Sequence, residues 1–484
     1  MSGQRALEWG IRLAVPLAVL AVVLAVFFGE RMSIDHELQV RAPREVAAGA
    51  ALPVQTLLVG DLEALDGPHL YAAPAQVRLV QGGEAIAEAT LEPAPGGGAA
   101  GTLDVPADAS GALALVAVGF VDGEAVASAT RAVRVTPRPA PASVLGRLAG
   151  DLQLLAPGPI TPAGDAAPPW PLEVRVVGGA CVPEARCEIL VHVGEPAARV
   201  RFALSQSATV EPGPELETAG LVSLAARVHG PEAHVVLEAY RGDALVATRE
   251  VQLPVALATP ALALDARLAP RPELTVQTLG DRPGLFVDAY RDGIWTHTAG
   301  RPIEEGAFPL PYALDDGLWR LQVRTDPFSS ERAAIRYVAV GSLDEALAAI
   351  DAAGGDRRAP EGPDALRLAW AAASLEVGVH PLPAPTSGMD ADLARVEGRQ
   401  RTLRLAALLA MALGLIVAVI VFMRRGIDAA LEAQRVMDET GDPELSSARH
   451  RRRTLLSALL IVVTVLLAFV GAAALIVARA HLLE

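Results

Sequence analysis

The side chains best suited to chemistry in this chain are few and scattered. Cys181 and Cys187 are the only cysteines among 484 residues. A close pair with no other Cys or His cluster around it suits one small-loop disulfide in an oxidising compartment. Two free thiols are the alternative. Zinc would need two further ligands, and only His192 is near. Asp35-His36-Glu37 offers metal ligands, but a single short trio reads as a solvated stem. Asp315-Asp316-Gly317 with Asp326, or Asp288 with Asp292, could hold Ca²⁺ between loops, although turn chemistry explains those residues without an ion. No HExxH, GxSxG, P-loop or GxGxxG pattern occurs. The expectation is a non-enzymatic protein with no catalytic residue, no resident metal and no cofactor.

The elements that would position these residues are strands. Period-two alternation runs from Ser33 to Val135. Gln76–Val80 and Ala85–Leu91 flank Gly82-Gly83, and Leu113–Val121 and Val126–Val135 flank Asp122-Gly123. Both are two-residue hairpin signals. The pattern predicts a β-sandwich over 33–136, a Pro- and Ala-rich extended linker over 137–171, a second sandwich over 172–256 and a third over 257–340. One hairpin is written three times: Gly119-Phe120-Val121-Asp122-Gly123, Ala239-Tyr240-Arg241-Gly242-Asp243 and Ala289-Tyr290-Arg291-Asp292-Gly293. Arg241-Gly242-Asp243 spells an integrin-type tripeptide, but its sister hairpins show that the turn is what repeats. Trp295 and Trp319 are expected in the core of the third sandwich.

A second echo links the first and third sandwiches. Leu103-Asp104-Val105-Pro106 precedes Gly111-Ala112-Leu113-Ala114-Leu115, and Phe308-Pro309-Leu310-Pro311 precedes Gly317-Leu318-Trp319-Arg320-Leu321. A strand ending in Pro, a short turn, then Gly opening an alternating strand resembles the macroglobulin (MG2-like) and immunoglobulin-like sandwiches. The likeness is best in the first domain, where Val40-Arg41-Ala42-Pro43 leads through Gly49 to Leu52–Gln55, and covers about 100 residues. Protease-trapping macroglobulins use a thioester built on a Cys-x-x-Gln-type motif. Here Glu188-Ile189-Leu190 follows Cys187, so that activity is not carried over.

After Val340 the period becomes helical. Ser342-Leu343-Asp344-Glu345 is a capping box, and a second helix starts near Pro363, giving membrane-proximal helices over 342–378. A proline-containing linker spans 379–388. Three apolar runs follow the logic of membrane spans: Leu13–Gly29 as an uncleaved signal anchor (11–29), Leu405–Met423 (within 389–424) and Leu455–Ala478 (within 454–478). Ala410, Gly414 and Ala418 in the second run, and Ala468 and Ala472 in the third, are spaced for close helix packing. Between these runs, 425–453 reads as a helical hairpin, with Arg424, Arg425, Arg451, Arg452 and Arg453 as cytoplasmic anchors. Arg395, Arg399, Arg401 and Arg404 argue for the opposite orientation. The expected fold class is therefore a mainly β ectodomain of tandem sandwiches with a helical membrane-proximal segment and three transmembrane helices. It would be a multi-pass protein of a bacterial inner membrane, with its N-terminus inside and its bulk periplasmic.

Net charge is −15. Residues 1–29 and 424–453 each carry one net positive charge, so the middle holds about −17. Such a surface argues against nucleic acid as a partner. The expected partners are the lipid bilayer and an envelope or membrane protein. The expected function is a sandwich arm that scaffolds or binds another envelope component. A ligand sensor coupled to a cytoplasmic partner, or an accessory subunit of a membrane enzyme or transport complex, are the alternatives.

Overall fold

A computed structural model describes residues 36–60, 69–141, 145–146, 160–162, 172–193, 199–257, 259–264, 267–278, 284–303, 307–327, 332–356, 359–376 and 378–440. The chain divides into two compact units, Asp35–Met389 and the pair of segments Met1–Ile34 and Asp390–Glu484.

The first sandwich is built from β1 (His36–Arg41), β2 (Glu45–Val46), β3 (Ala51–Gly60), β4 (His69–Tyr71), β5 (Ala75–Gln81), β6 (Glu84–Pro93), β7 (Ala99–Asp104), β8 (Gly111–Val121) and β9 (Glu124–Val135). Strand β6 joins its two layers: Glu84–Leu91 pairs with β5, and Glu92 and Pro93 pair with β7. The alternation does the sorting. Leu113, Leu115 and Ala117 of β8 point inward onto Val77 and Leu79 of β5 and Leu38 and Val40 of β1, and exclude water from one core.

The segment expected as an extended linker, 137–171, contributes two short strands, β10 (Leu145–Gly146) and β11 (Ile160–Pro162). The second sandwich comprises β12 (Leu172–Val176), β13 (Arg186–Val193), β14 (Val200–Leu204), β15 (Val210–Pro212), β16 (Leu216–Thr218), β17 (Leu221–Val228), β18 (Ala233–Arg241) and β19 (Ala244–Leu253). One sheet has the order β11-β19-β18-β14-β16, the other β12-β13-β17-β15. The third has β20 (Ala261–Leu264), β21 (Glu273–Gln277), β22 (Gly284–Arg291), β23 (Ile294–Pro302), β24 (Ala307–Pro309), β25 (Gly317–Arg324) and β26 (Ala334–Val340), as β20-β21-β24 against β23-β22-β25-β26. Trp319 is fully buried in this third core.

Helix α1 (Leu343–Ala352) starts where Ser342 accepts a hydrogen bond from the Glu345 N–H at 3.3 Å, and it buries Ala346, Leu347 and Ile350. Helix α2 (Asp364–Ala372) follows Pro363. Two short strands, β27 (Gly378–Val379) and β28 (Thr386–Ser387), come next. Helix α3 (Met389–Thr440) then runs for 52 residues.

The membrane expectation is corrected here. Among the described residues no helix is long and apolar enough to cross a membrane. The run Leu405–Met423 lies inside α3, one continuous helix with Asp390, Asp392, Arg395, Glu397 and Arg401 before the run and Arg424, Asp428, Glu432 and Arg435 after it. Three transmembrane helices, and with them a multi-pass inner-membrane location, are not upheld. Ala410, Gly414, Ala418 and Arg425 belong to α3, and Arg424 is exposed on it. Leu13–Gly29, Leu455–Ala478, Ala468, Ala472, Arg451, Arg452 and Arg453 lie outside the described residues.

Candidate functional site

The repeated hairpin has one local cause in all three places. Each carries a register shift between the small residue and the aromatic: Gly119/Phe120, Ala239/Tyr240 and Ala289/Tyr290. The extra residue sharpens the twist before the turn. Asp122 and Asp292 then sit at φ 51°, where Asp is among the residue types that pay least. Gly242 takes that position, at φ 59°, in the Arg241-Gly242-Asp243 copy. The tripeptide is therefore turn geometry.

The acidic candidates separate. Asp315 accepts the Trp319 indole N–H through its backbone carbonyl at 2.7 Å, and the Asp316 carbonyl accepts from Arg291 at 2.7 Å. Asp35 lies outside the described residues. His36 packs against Tyr71 at 5.6 Å, and Glu37 accepts a bond from Gln39 at 3.2 Å. Among the described residues no group of three or more His, Cys, Asp or Glu side chains could hold a metal ion. Trp295 is buried, its indole N–H donating to the His297 carbonyl at 3.1 Å.

Asp288 stands apart from the other turn aspartates. Its carboxylate is fully buried between the first and third sandwiches. Oδ1 accepts from Gln55 Nε2 of β3 at 3.0 Å and from the Thr298 hydroxyl at 2.7 Å. That hydroxyl accepts a second Gln55 Nε2 bond at 2.8 Å. Oδ2 accepts from Arg324 Nε at 2.9 Å, and Arg324 is as buried as its partner. The Arg324 guanidinium lies 4.6 Å from the Phe286 ring, and Phe286 closes an apolar patch with Ala94 and Ala100 of the first sandwich. Gly300 permits this approach: a Cβ there would stand 2.2 Å from that of Ala94. Arg41 donates to the Pro327 carbonyl across the same joint. Burial, followed by the nearby Arg324 charge, lowers the Arg41 pKa to about 10.

A second joint holds the second sandwich to the third. Trp370 of α2 is fully buried among Val177, Leu190, Leu221 and Ala369. Arg175 lies 4.3 Å over its ring and donates to its carbonyl at 2.7 Å. Glu376, buried after α2, accepts from the Gly178 N–H at 2.6 Å and the Tyr337 N–H at 3.2 Å, and so bridges both sandwiches. Glu188 pairs with Arg267. Burial alone would raise the Glu188 carboxyl, but Arg267, Ser223 and Arg336 outweigh it and hold it below its usual range. Cys181 and Cys187 are joined in a disulfide, Cα–Cα 5.0 Å. The Cys181 N–H donates to the Pro254 carbonyl at 2.7 Å, and the Cys181 carbonyl accepts from the Ala256 N–H at 2.8 Å. The disulfide loop thus grips the segment leaving the second sandwich. The cleft beside it, lined by Cys181, Glu188, Thr259 and Arg336, has room only for water-sized molecules.

The segment 378–388 closes the body. Gln322 and His380 exchange two hydrogen bonds, at 2.6 and 3.0 Å, with the His380 backbone. Strand β27 pairs with β10, and β28 adds to β1 through Gln39↔Ser387 and Val40↔Thr386. Arg131 holds the strap by donating to the Ala384 carbonyl at 2.7 Å and to Thr386 Oγ1 at 2.9 Å. Sequence reasoning missed Asp288, Arg324, Gln55 and Arg131 as a joint. A signal existed: Asp288 and Arg324 are charges inside strands otherwise buried on both faces, and Arg131 occupies the inward phase of β9.

No family model matches the chain, and no curated protein matches it. Solved structures do resemble it. A Salmonella alpha-2-macroglobulin mutant (Y1175G) is 14% identical, with a TM-score of 0.17, and the match covers 63% of this chain and 23% of that one. Trypsin-activated Escherichia coli alpha-2-macroglobulin is 13% identical, with a TM-score of 0.17, covering 64% and 24%. An Escherichia coli adhesin is 11% identical, with a TM-score of 0.17, covering 63% and 97%. The chain thus spans about a quarter of the length of those two macroglobulins. What these structures resemble is the run of tandem β-sandwiches that this chain's own strand pairing shows. With both cysteines bonded to each other, neither is available for a thioester.

Proposed function

We propose that this protein is a non-enzymatic scaffold whose three sandwiches are locked into one body that binds another protein. The observation that carries this reading is Asp288. Among the described residues no carboxylate is more buried, and three donors engage its two oxygens, one of them from a neighbouring domain. A carboxylate held this way is committed to fixing an inter-domain angle. Glu376 and Glu188 are committed in the same way at the second joint. A body whose polar side chains maintain orientation, with a strap tying its far end back to its first strand, suits the presentation of a fixed surface.

The test is binding by the full chain to a partner purified from its native source, compared with the joint variant Gln55→Ala. The scaffold reading expects weaker partner binding in the variant while each sandwich stays folded by amide exchange. A partner affinity indifferent to the joint, or a hydrolytic activity that the joint variant abolishes, would overturn it.

A further inference from the structure

The outer face of the sheet β12-β13-β17-β15 is covered at one end and open at the other. Side chains alternate across it, so Cys187, Ile189 and Val191 of β13 and Val222, Leu224 and Ala226 of β17 enter the core. Leu190 and Leu221, facing outward, lie under Trp370 and Ala369 of α2. In the next row Glu188 is taken by Ser223, at 2.9 Å, and by Arg267 from the third sandwich. Beyond it, Arg186 and Arg227 stand directly opposite each other on neighbouring strands, both exposed.

Like charges in direct cross-strand register destabilise a sheet. A carboxylate between them would remove the penalty, yet neither guanidinium forms a hydrogen bond or an ion pair with a described residue. Glu211, opposite Arg227 on β15, lies 3.7 Å from His229 Nε2 instead. Arg186, Arg227, Glu211, Pro212, Gly213 and Ala225 surround an open groove of about 220 Å³. Gly213 and Ala225 keep its floor free of bulky side chains, and the close backbone approach there requires Gly213: a Cβ at 213 would meet the Ala225 carbonyl oxygen at 2.7 Å. Pro212 and Pro214 remove N–H donors from the neighbouring edge, so an occupant is recognised by its side chains and not by strand addition.

We infer that this groove takes an acidic segment of the partner protein, with one Asp or Glu carboxylate held between the Arg186 and Arg227 guanidiniums. Paired planar guanidiniums suit a carboxylate bidentately, and the repulsion that costs the free protein stability becomes attraction in the complex. The chain as a whole, at net −15, supplies the contrast: an acidic segment meets general repulsion, and two adjacent guanidiniums facing the single groove carboxylate of Glu211 leave a local excess of positive charge. The inference rests on the scaffold reading and names the chemistry of its partner.

The test uses the full chain with octaglutamate as probe, octaglutamine as control and inorganic phosphate as competitor, followed by calorimetry or anisotropy. Octaglutamate is expected to bind in a salt-dependent manner. Binding should fall about tenfold or more in the double variant Arg186→Gln/Arg227→Gln, and phosphate should not displace it at equal concentration. The melting temperature of the double variant should be unchanged or raised, because a repulsion is removed. A lowered melting temperature would show that the pair is structural, and octaglutamate binding that is absent or indifferent to the double variant would overturn the site. Displacement by phosphate alone would make it a small-anion site, and binding of a second copy of this chain would make it a self-association surface. Either result would overturn the assignment to a partner protein. If the purified native partner binds wild type and double variant equally, the groove assignment falls and the scaffold stands. If octaglutamate binds at the groove and no partner engages the chain, the reverse holds.

Discussion

The two joints of the body do the same work with different materials. The first joint, between the first and third sandwiches, turns on one buried ion pair, Asp288–Arg324, completed by Gln55 and Thr298 and edged by a small apolar patch. The second, between the second and third, is a Trp370 wedge in an apolar pocket, bounded by a disulfide loop and by the Glu376 bridge. An ion pair removed from water is strong only while complete, because each half alone is an uncompensated charge. An apolar wedge loses stability in proportion to the atoms removed. The first joint should therefore fail all at once and the second by degrees.

Breaking the ion pair is the sharpest test of that difference. Arg324→Met leaves Asp288 buried beside apolar neighbours and should cost about 3–5 kcal/mol in denaturant unfolding. The double variant Asp288→Leu/Arg324→Met should recover much of that loss. Equal costs for the single and double variants would remove the distinction between the joints. Trp370→Ala should cost about 3 kcal/mol by emptying the wedge pocket, and Trp370→Phe clearly less, the graded response expected of packing. Replacing both cysteines by serine should cost about 2 kcal/mol for so short a loop. Because Cys181 also grips residues 254–256, hydrogen exchange at Ala256 should rise with it.

Acid sharpens the comparison further, with a smaller effect. His192, edge-on to Trp370 at 6.0 Å, has its pKa lowered from 6.5 by burial, partly offset by Glu173. His297, 4.9 Å from Tyr312 and 5.7 Å from Trp319, is likewise lowered by burial, with Asp315 and Asp104 opposing. A histidine whose folded pKa lies below its unfolded value binds fewer protons when folded. Stability is then complete above pH 6.5 and is lost as pH falls from there towards the folded value. Unfolding midpoints should fall between pH 7 and pH 5, and His192→Gln should flatten the second joint's share of that slope.

Much of the sandwich architecture was legible. Period-two alternation, Asp-Gly and Gly-Gly turns and the thrice-written hairpin are local signals, and each maps onto a strand pair with the bulge at the same step. The joints were not legible, because Gln55 and Asp288 are separated by 233 residues and no local periodicity relates them. The strap escaped for a different reason. Its strands are two residues each, too short for any period, and prolines between them look like a spacer. The apolar run Leu405–Met423 pointed to a span when that window was read alone, whereas it is the middle of one helix, Met389–Thr440, and among the described residues no helix is long and apolar enough to cross a membrane.

With both joints intact, the three sandwiches should move as one rigid body. The most direct measurement is the distance distribution between spin labels at Glu84→Cys, on the exposed β5–β6 turn, and Asp243→Cys, on the exposed β18–β19 turn, in the full chain. A single narrow distribution that broadens in Arg324→Met is the predicted result. A broad distribution in the otherwise unaltered protein would mean that the joints do not hold the domains at a fixed angle, and the rigid scaffold would fall.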